Sequence, residues 1–190
     1  MSEGKFGSGN TRPLVLVWIV LLGTAGGAAV GALVNAVNGV VSEEFFVGVF
    51  GWEGFTDVWR ASVALGIFQG LMFGVVLALI FAAVVGFVTK ATCPFGEAFK
   101  YMVAILLCAL GCYVVGGLIA LGLAALSPEF FINNFTGVPH QTARMLGYAW
   151  VGGSNQGVVL GGLGAVVIGA LIFRGNWRRA EQDRPGAGGA

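Results

Sequence analysis

Ionisable side chains are scarce in this 190-residue chain. Charged residues make up 10% of it, and there is a single histidine, His140. The long apolar stretches hold no Asp, Glu, Lys, Arg or His at depth, so haem ligation, a proton relay and a buried-carboxylate ion site all lack their usual residues. Cysteine is equally sparse: Cys93, Cys108 and Cys112. Two of these, one helical turn apart, could share a metal, but no third or fourth ligand lies in reach by sequence. Cys108 and Cys112 therefore read as small packing residues, and no metal is expected. No Ser-His-Asp set, HExxH or phosphate-loop pattern is present, so the expectation is a protein with no catalytic residues and no cofactor. A formal charge of +1, from ten Lys and Arg spread along the chain, supplies no basic face and excludes nucleic acid as a partner.

What is abundant is apolar. Hydrophobic residues account for 57% of the chain, and 33 residues are glycine, which leaves too little polar surface for a water-soluble domain. The fold class is an all-α integral membrane protein. Four stretches, roughly 14–40, 61–88, 101–126 and 148–173, exceed the ~20 helical residues needed to cross a hydrocarbon core. The chain divides into a polar N-terminal tail (1–13), a first transmembrane hairpin (14–88), a connection (89–100), a second hairpin (101–173) and a basic, Gly-rich tail (174–190) whose composition suits disorder. Lys5, Arg12, Lys90, Lys100, Arg174, Arg178, Arg179 and Arg184 fall on one side of this arrangement, and Arg60 and Arg144 on the other. The positive-inside rule then predicts a plasma or inner membrane protein with both termini cytoplasmic. A signal peptide is the competing reading of the first stretch, because Lys5 and Arg12 precede a Leu/Val-rich run and then small residues.

The chain also repeats itself. VSEEFFVGVF (41–50) is nearly LSPEFFINNF (126–135), and the same offset of 85 aligns Gly31 with Gly116 and Glu44, Phe45, Phe46 with Glu129, Phe130, Phe131. An offset of 87 aligns Gly66, Gln69, Gly70 and Gly74 with Gly153, Gln156, Gly157 and Gly161. Copies separated by an even number of spans run in the same direction, so the reading is a parallel duplication of one helical hairpin. Within every span small residues recur four apart: Gly23, Gly27, Gly31 in the first; Gly66, Gly70, Gly74 in the second; Cys108, Cys112, Gly116 in the third; Gly153, Gly157, Gly161 in the fourth. Residues four apart share a helix face, and in lipid such small-xxx-small stripes let backbones approach closely.

The corners between paired spans carry the aromatic and acidic residues. Phe45, Phe46, Phe130 and Phe131 read as an interfacial belt, with a lid over an entrance between the hairpins as the functional alternative. Glu44 and Glu129 suit the first turn of a short surface helix capped by Ser42 or Ser127. Asn134-Phe135-Thr136 matches a glycosylation sequon.

At depth the remaining polar groups are amides and one hydroxyl: Asn35 and Asn38 on the first span, Gln69 on the second, Ser154, Asn155 and Gln156 on the fourth. An amide facing lipid is costly, so these should meet one another, other helices or water. Tandem Gly-rich hairpins resemble the duplicated proteolipids of rotary ATPases in architecture. Those proteins carry a mid-membrane carboxylate and a polar connecting loop; here the positions hold Gln69 and Gln156 and the loop is absent, so ion binding does not transfer. The leading expectation is a non-catalytic membrane scaffold or accessory subunit, associating with lipid and with itself or other membrane subunits. The alternative is a small channel or transporter with a path between the repeats lined by Gln69, Asn155 and Gln156. A scaffold expects lipid-free, dry contacts around the amides, whereas a transporter expects a wet, continuous cavity.

Overall fold

The computed structural model describes residues 12–183; the remainder of both tails lies outside the described residues. Among the described residues the chain is all-helical: α1 (Pro13–Val41), α2 (Glu43–Phe50), α3 (Val58–Thr89), α4 (Phe95–Leu126), α5 (Pro128–Asn134) and α6 (Thr142–Gln182). Four of these, α1, α3, α4 and α6, are long and apolar enough to cross a membrane. α2 and α5 are the short corner helices.

Local chemistry sets the ends. Pro13 opens α1, where its fixed φ suits the first turn and its missing N–H costs nothing. Asp57 caps α3, its carboxylate accepting the Arg60 N–H at 2.9 Å. Gly51 closes α2 at φ 69°, a left-handed conformation that glycine adopts freely. Between α3 and α4 the turn is made instead by two residues with side chains, Lys90 (φ 50°) and Ala91 (φ 59°). The Arg12 N–H, just ahead of α1, donates to the Ala91 carbonyl at 2.6 Å and ties the two together. Burial in the same turn pushes the Cys93 thiol up to about 11, with Glu97 adding to the rise and a backbone hydrogen bond from Ala98 opposing it. Burial thus disfavours the thiolate, the form in which a cysteine reacts.

The long helices form two antiparallel pairs, α1 with α3 and α4 with α6. A Cβ added to Gly31 would run into the carbonyl oxygen of Gly66, and one added to Gly27 would lie 2.5 Å from the Gly70 carbonyl oxygen and 2.7 Å from the Gly74 Cα. In the other pair, a Cβ on Gly116 would lie 2.5 Å from the Gly153 carbonyl oxygen and 2.9 Å from the Gly157 Cα, and one on Gly157 would strike the Cys112 carbonyl. Backbone touches backbone at these four glycines.

Contact between the pairs is made mostly by larger side chains, though at the corner end Gly147 of α6 lies against the Val41 carbonyl of α1. At the end bearing the termini, Ile19, Phe81, Met102, Val166 and Phe173 form one buried cluster, with Phe81 and Phe173 edge to face at 5.9 Å. Farther along, Phe73 and Leu77 of α3 lie against Gly162 of α6.

Several boundaries differ from the sequence reading. α4 begins at Phe95, inside the stretch assigned to the connection, and α6 continues through Gln182, well into the stretch assigned to a disordered tail. Hydropathy falls at Arg174, but a helix outside the bilayer needs only one apolar face. Trp177 supplies it, stacking on Phe173 at 6.1 Å while its indole N–H donates to Glu181 at 2.9 Å. Ser42 and Ser127 stand at the N-cap positions, yet neither side chain makes a capping bond; the Ser42 hydroxyl donates to its neighbour Glu44 at 3.3 Å instead. Glu44 and Glu129 do occupy first turns. The corner phenylalanines divide. Phe46 and Phe131 are buried, whereas Phe130, Phe50 and Phe135 are exposed, so the belt reading does not hold for the first two. Consecutive residues on a helix point about 100° apart, which separates Phe46 from Phe45 and Phe131 from Phe130.

These contacts give a matched pair of tests. Gly70→Leu and Gly157→Leu should each cost at least the ~1–3 kcal/mol of ordinary overpacking, because backbone rather than a movable side chain stands in the way. Gly164→Leu, where a Cβ would meet nothing, should leave stability within ~0.5 kcal/mol. Unfolding in mixed micelles measures both; equal tolerance at the two kinds of site would contradict the backbone contacts.

Candidate functional site

The amides at depth separate into two groups. Asn35, on α1, donates from Nδ2 to the Ser62 carbonyl at 3.1 Å, and the Ser62 hydroxyl returns a bond to the Asn35 carbonyl at 3.1 Å, clasping α1 to α3. Asn38, fully buried, joins three helices. Its Nδ2 donates to Asn155 Oδ1 at 3.0 Å, and its Oδ1 accepts from the Tyr113 hydroxyl at 3.0 Å and from the Ser154 hydroxyl at 3.3 Å. This knot ties α1 of one pair to α4 and α6 of the other near the corner end. Trp150 packs beside it, edge to face with Tyr113 at 5.7 Å, its indole N–H buried without a hydrogen-bond partner.

Gln69 and Gln156 form the second group. Both are exposed, and neither amide makes a hydrogen bond to the protein. They lie roughly three and four turns beyond the first residues of α3 and α6. Those helices begin at Val58 and Thr142, ahead of the apolar stretches read from 61 and 148.

Both line a cavity of about 440 Å³ between the two helix pairs. Asn155 lies on the same wall, with its Nδ2 free of protein partners. Gly23, Gly27 and Gly31 form a floor without side chains, and Met102, Ile105 and Ala109 of α4 stand opposite. The cluster around Phe81 and Phe173 closes the end nearest the termini. At the corner end Phe45, Phe46 and Phe50 of α2 form a roof. α2 is held there by Phe45 against Tyr148 at 5.1 Å, by Gly48 against the backbone of Gly137 and by Glu44 to Arg144 at 3.5 Å. The ion pair is exposed and contributes little; the apolar contacts do the holding. Besides Val49 and Phe50 of the roof, the exposed lining residues are Gln69, Gln156 and Val159, so the opening lies between α3 and α6 beneath α2. No ionisable side chain lines it among the described residues.

Of the residues singled out by sequence, Gln69, Asn155, Gln156, Phe45 and Phe46 thus converge on one cavity with Asn35, while Asn38 bridges the helices above it. Glu129, Phe130 and Phe131 lie at the other corner, away from it. Cys108 is exposed, and Cys112 packs against Gly157 and Gly161. Sequence reasoning missed Tyr113, and it read Ser62 as a small packing residue on the stripe of the second span rather than as a hydrogen-bond donor. A tyrosine amid aliphatic residues was the available signal, since a buried phenol requires a partner.

No family model matches the chain, and neither a curated protein nor a solved structure is significantly similar to it.

The knot around Asn38 has a graded expectation. Interhelical hydrogen bonds in membranes average ~0.6 kcal/mol, so Tyr113→Phe should cost under about 1 kcal/mol. Asn38→Leu, which removes the bonds to Tyr113, Ser154 and Asn155 and takes the acceptor from the Tyr113 hydroxyl while Ser154 keeps the Val151 carbonyl at 3.1 Å, should cost about 2 kcal/mol. Denaturant titration of the two variants in micelles checks the order, and a Tyr113→Phe loss equal to that of Asn38→Leu would show that Asn38 is not the hub.

Proposed function

We propose that this chain is a non-catalytic carrier or solute-binding protein of a plasma or inner membrane, working through the cavity between two tandemly duplicated hairpins with both termini cytoplasmic. The observation that carries the reading is the pair Gln69 and Gln156, which line a cavity and lack protein partners where a scaffold would have packed them dry. An amide left unsatisfied in an apolar medium costs several kcal/mol, so something other than this chain's own side chains meets them. The roof of α2 and the Phe81 and Phe173 cluster stand at the cavity's two ends and the exposed residues lie between α3 and α6, which favours a holding state over a continuous pore.

Duplication is supported by contacts that recur at equivalent positions. Gly31 meets Gly66 as Gly116 meets Gly153, and Gly27 meets Gly70 as Cys112 meets Gly157. Phe46 and Phe131 are both buried. The element order long, short, long also repeats. The small-residue stripes serve contacts within the chain in this reading. A second reading, an accessory subunit assembled with itself or other membrane proteins, draws support from the exposure of Gln69 and Gln156, which a neighbouring helix would cover.

Topology can be checked in a variant without the three native cysteines. Cysteines placed at the exposed positions Glu53 and His140 should both react with an impermeant maleimide from outside intact cells. Reaction at one alone would break the parallel arrangement. The cavity has its own test in Ala109→Trp, which points a large ring into the void from α4. Stability should change by less than the ~1–3 kcal/mol of overpacking a filled core. A small molecule retained by the wild type after extraction in native lipid discs, and identified by mass spectrometry, should be lost. Retention of a protein partner by both forms, with no small molecule in either, favours the accessory-subunit reading.

A further inference from the structure

We propose that the cavity takes a neutral, single-chain amphiphile directly from the bilayer, its uncharged head held between the Gln69 and Gln156 amides and its tail running toward Phe81, Met102 and Ile105. The proposal rests on the reading of the cavity as the functional site and adds the chemistry of the occupant.

Electrostatics selects the head. No lining residue carries charge among the described residues, so an ammonium, carboxylate or phosphate head would be taken from water with no counter-ion to meet it. Primary amides, by contrast, each offer two N–H donors and a carbonyl acceptor. Two of them free of protein partners suit a head that both donates and accepts, such as a hydroxyl or an amide.

Position selects the route. The exposed lining residues Gln69, Gln156 and Val159 lie within α3 and α6, two of the helices long and apolar enough to cross a membrane, and the proposal puts the opening at hydrocarbon depth. From the corner side the way is covered by the α2 phenylalanines, and across the pairs by the bond from Asn38 to Asn155.

Shape selects the tail. Beyond the amides the walls are apolar and end blindly at the Phe81 and Phe173 cluster. A volume of about 440 Å³ is modest for a ligand site and suits one chain rather than a two-chain phospholipid.

The experiment uses the purified full chain in phosphatidylcholine vesicles with three photoreactive probes of equal length, each bearing a diazirine in the tail: a fatty alcohol, a fatty acid and an alkyl trimethylammonium. Cross-linked residues are mapped by mass spectrometry. The alcohol should label the 102–109 stretch saturably, with competition by the unreactive alcohol, and the two charged probes should label it at least about tenfold more weakly. In the Gln69→Leu, Gln156→Leu double variant, alcohol labelling should fall about tenfold, the effect of two hydrogen bonds of ordinary strength. Thermal stability should hold, because no protein group loses a partner. Equal labelling by all three probes, or undiminished labelling of the double variant, would overturn the assignment of the head while leaving the cavity as a binding site. Absence of saturable labelling with every probe would overturn both.

Discussion

Carbonyl oxygens of one helix pressed against the glycines of another are the contact on which this molecule depends. Lipid tails are as apolar as leucine, so a bilayer offers helices little reason to associate beyond dispersion, weak Cα–H contacts and a few hydrogen bonds. All of these fall steeply with distance, and only where side chains are absent can the axes approach. Gly27, Gly31, Gly66 and Gly70 provide that in one pair, and Gly116, Gly153 and Gly157 in the other. Between the pairs the spacing is set by Phe73, Leu77, Phe81 and Phe173, which keep the helices apart. Close contact within pairs and, away from the Gly147 and Val41 approach at the corner end, bulky contact between them leave a void in the middle. The cavity is thus a consequence of two different interhelical distances in one bundle.

The polar groups follow the same division. Asn35 and Ser62 reinforce a contact within a pair, whereas Asn38 joins the pairs and must reach across the wider gap, which it does with Tyr113, Ser154 and Asn155 as partners. Gln69 and Gln156 stand where the gap is open and no partner stands opposite. Chemically similar amides on similar helices come to differ because the spacing around them differs.

Much of the helical layout was legible in the sequence, since a hydropathy run and its length report directly on a helix that can cross a bilayer. Positions of the corner helices were legible too, from Glu44 and Glu129 following Ser42 and Ser127. Boundaries outside the apolar runs were not. Phe95 to Lys100 and Arg174 to Gln182 are helical because of contacts such as Trp177 on Phe173, and hydropathy does not register these. The sequence also could not say which of Phe45 and Phe46 points inward, or that Tyr113 reaches Asn38 across 75 residues. The amides of the cavity wall could be named in advance because polar residues at depth are rare. Their division into bonded and unbonded sets could not, because it depends on distances among four helices at once.

The bond between Asn38 and Asn155 joins residues 117 apart in the chain. Synthesis delivers α1 and α3 first, and their glycine faces can close on each other while α6 is still unmade. The second pair closes by the same local route, and the polar knot between the pairs forms only when both are complete. Until then the future walls of the cavity are simply two outer surfaces in contact with lipid. A hydrogen bond spanning most of the chain thus couples the joining of the two pairs to completion of the last helix.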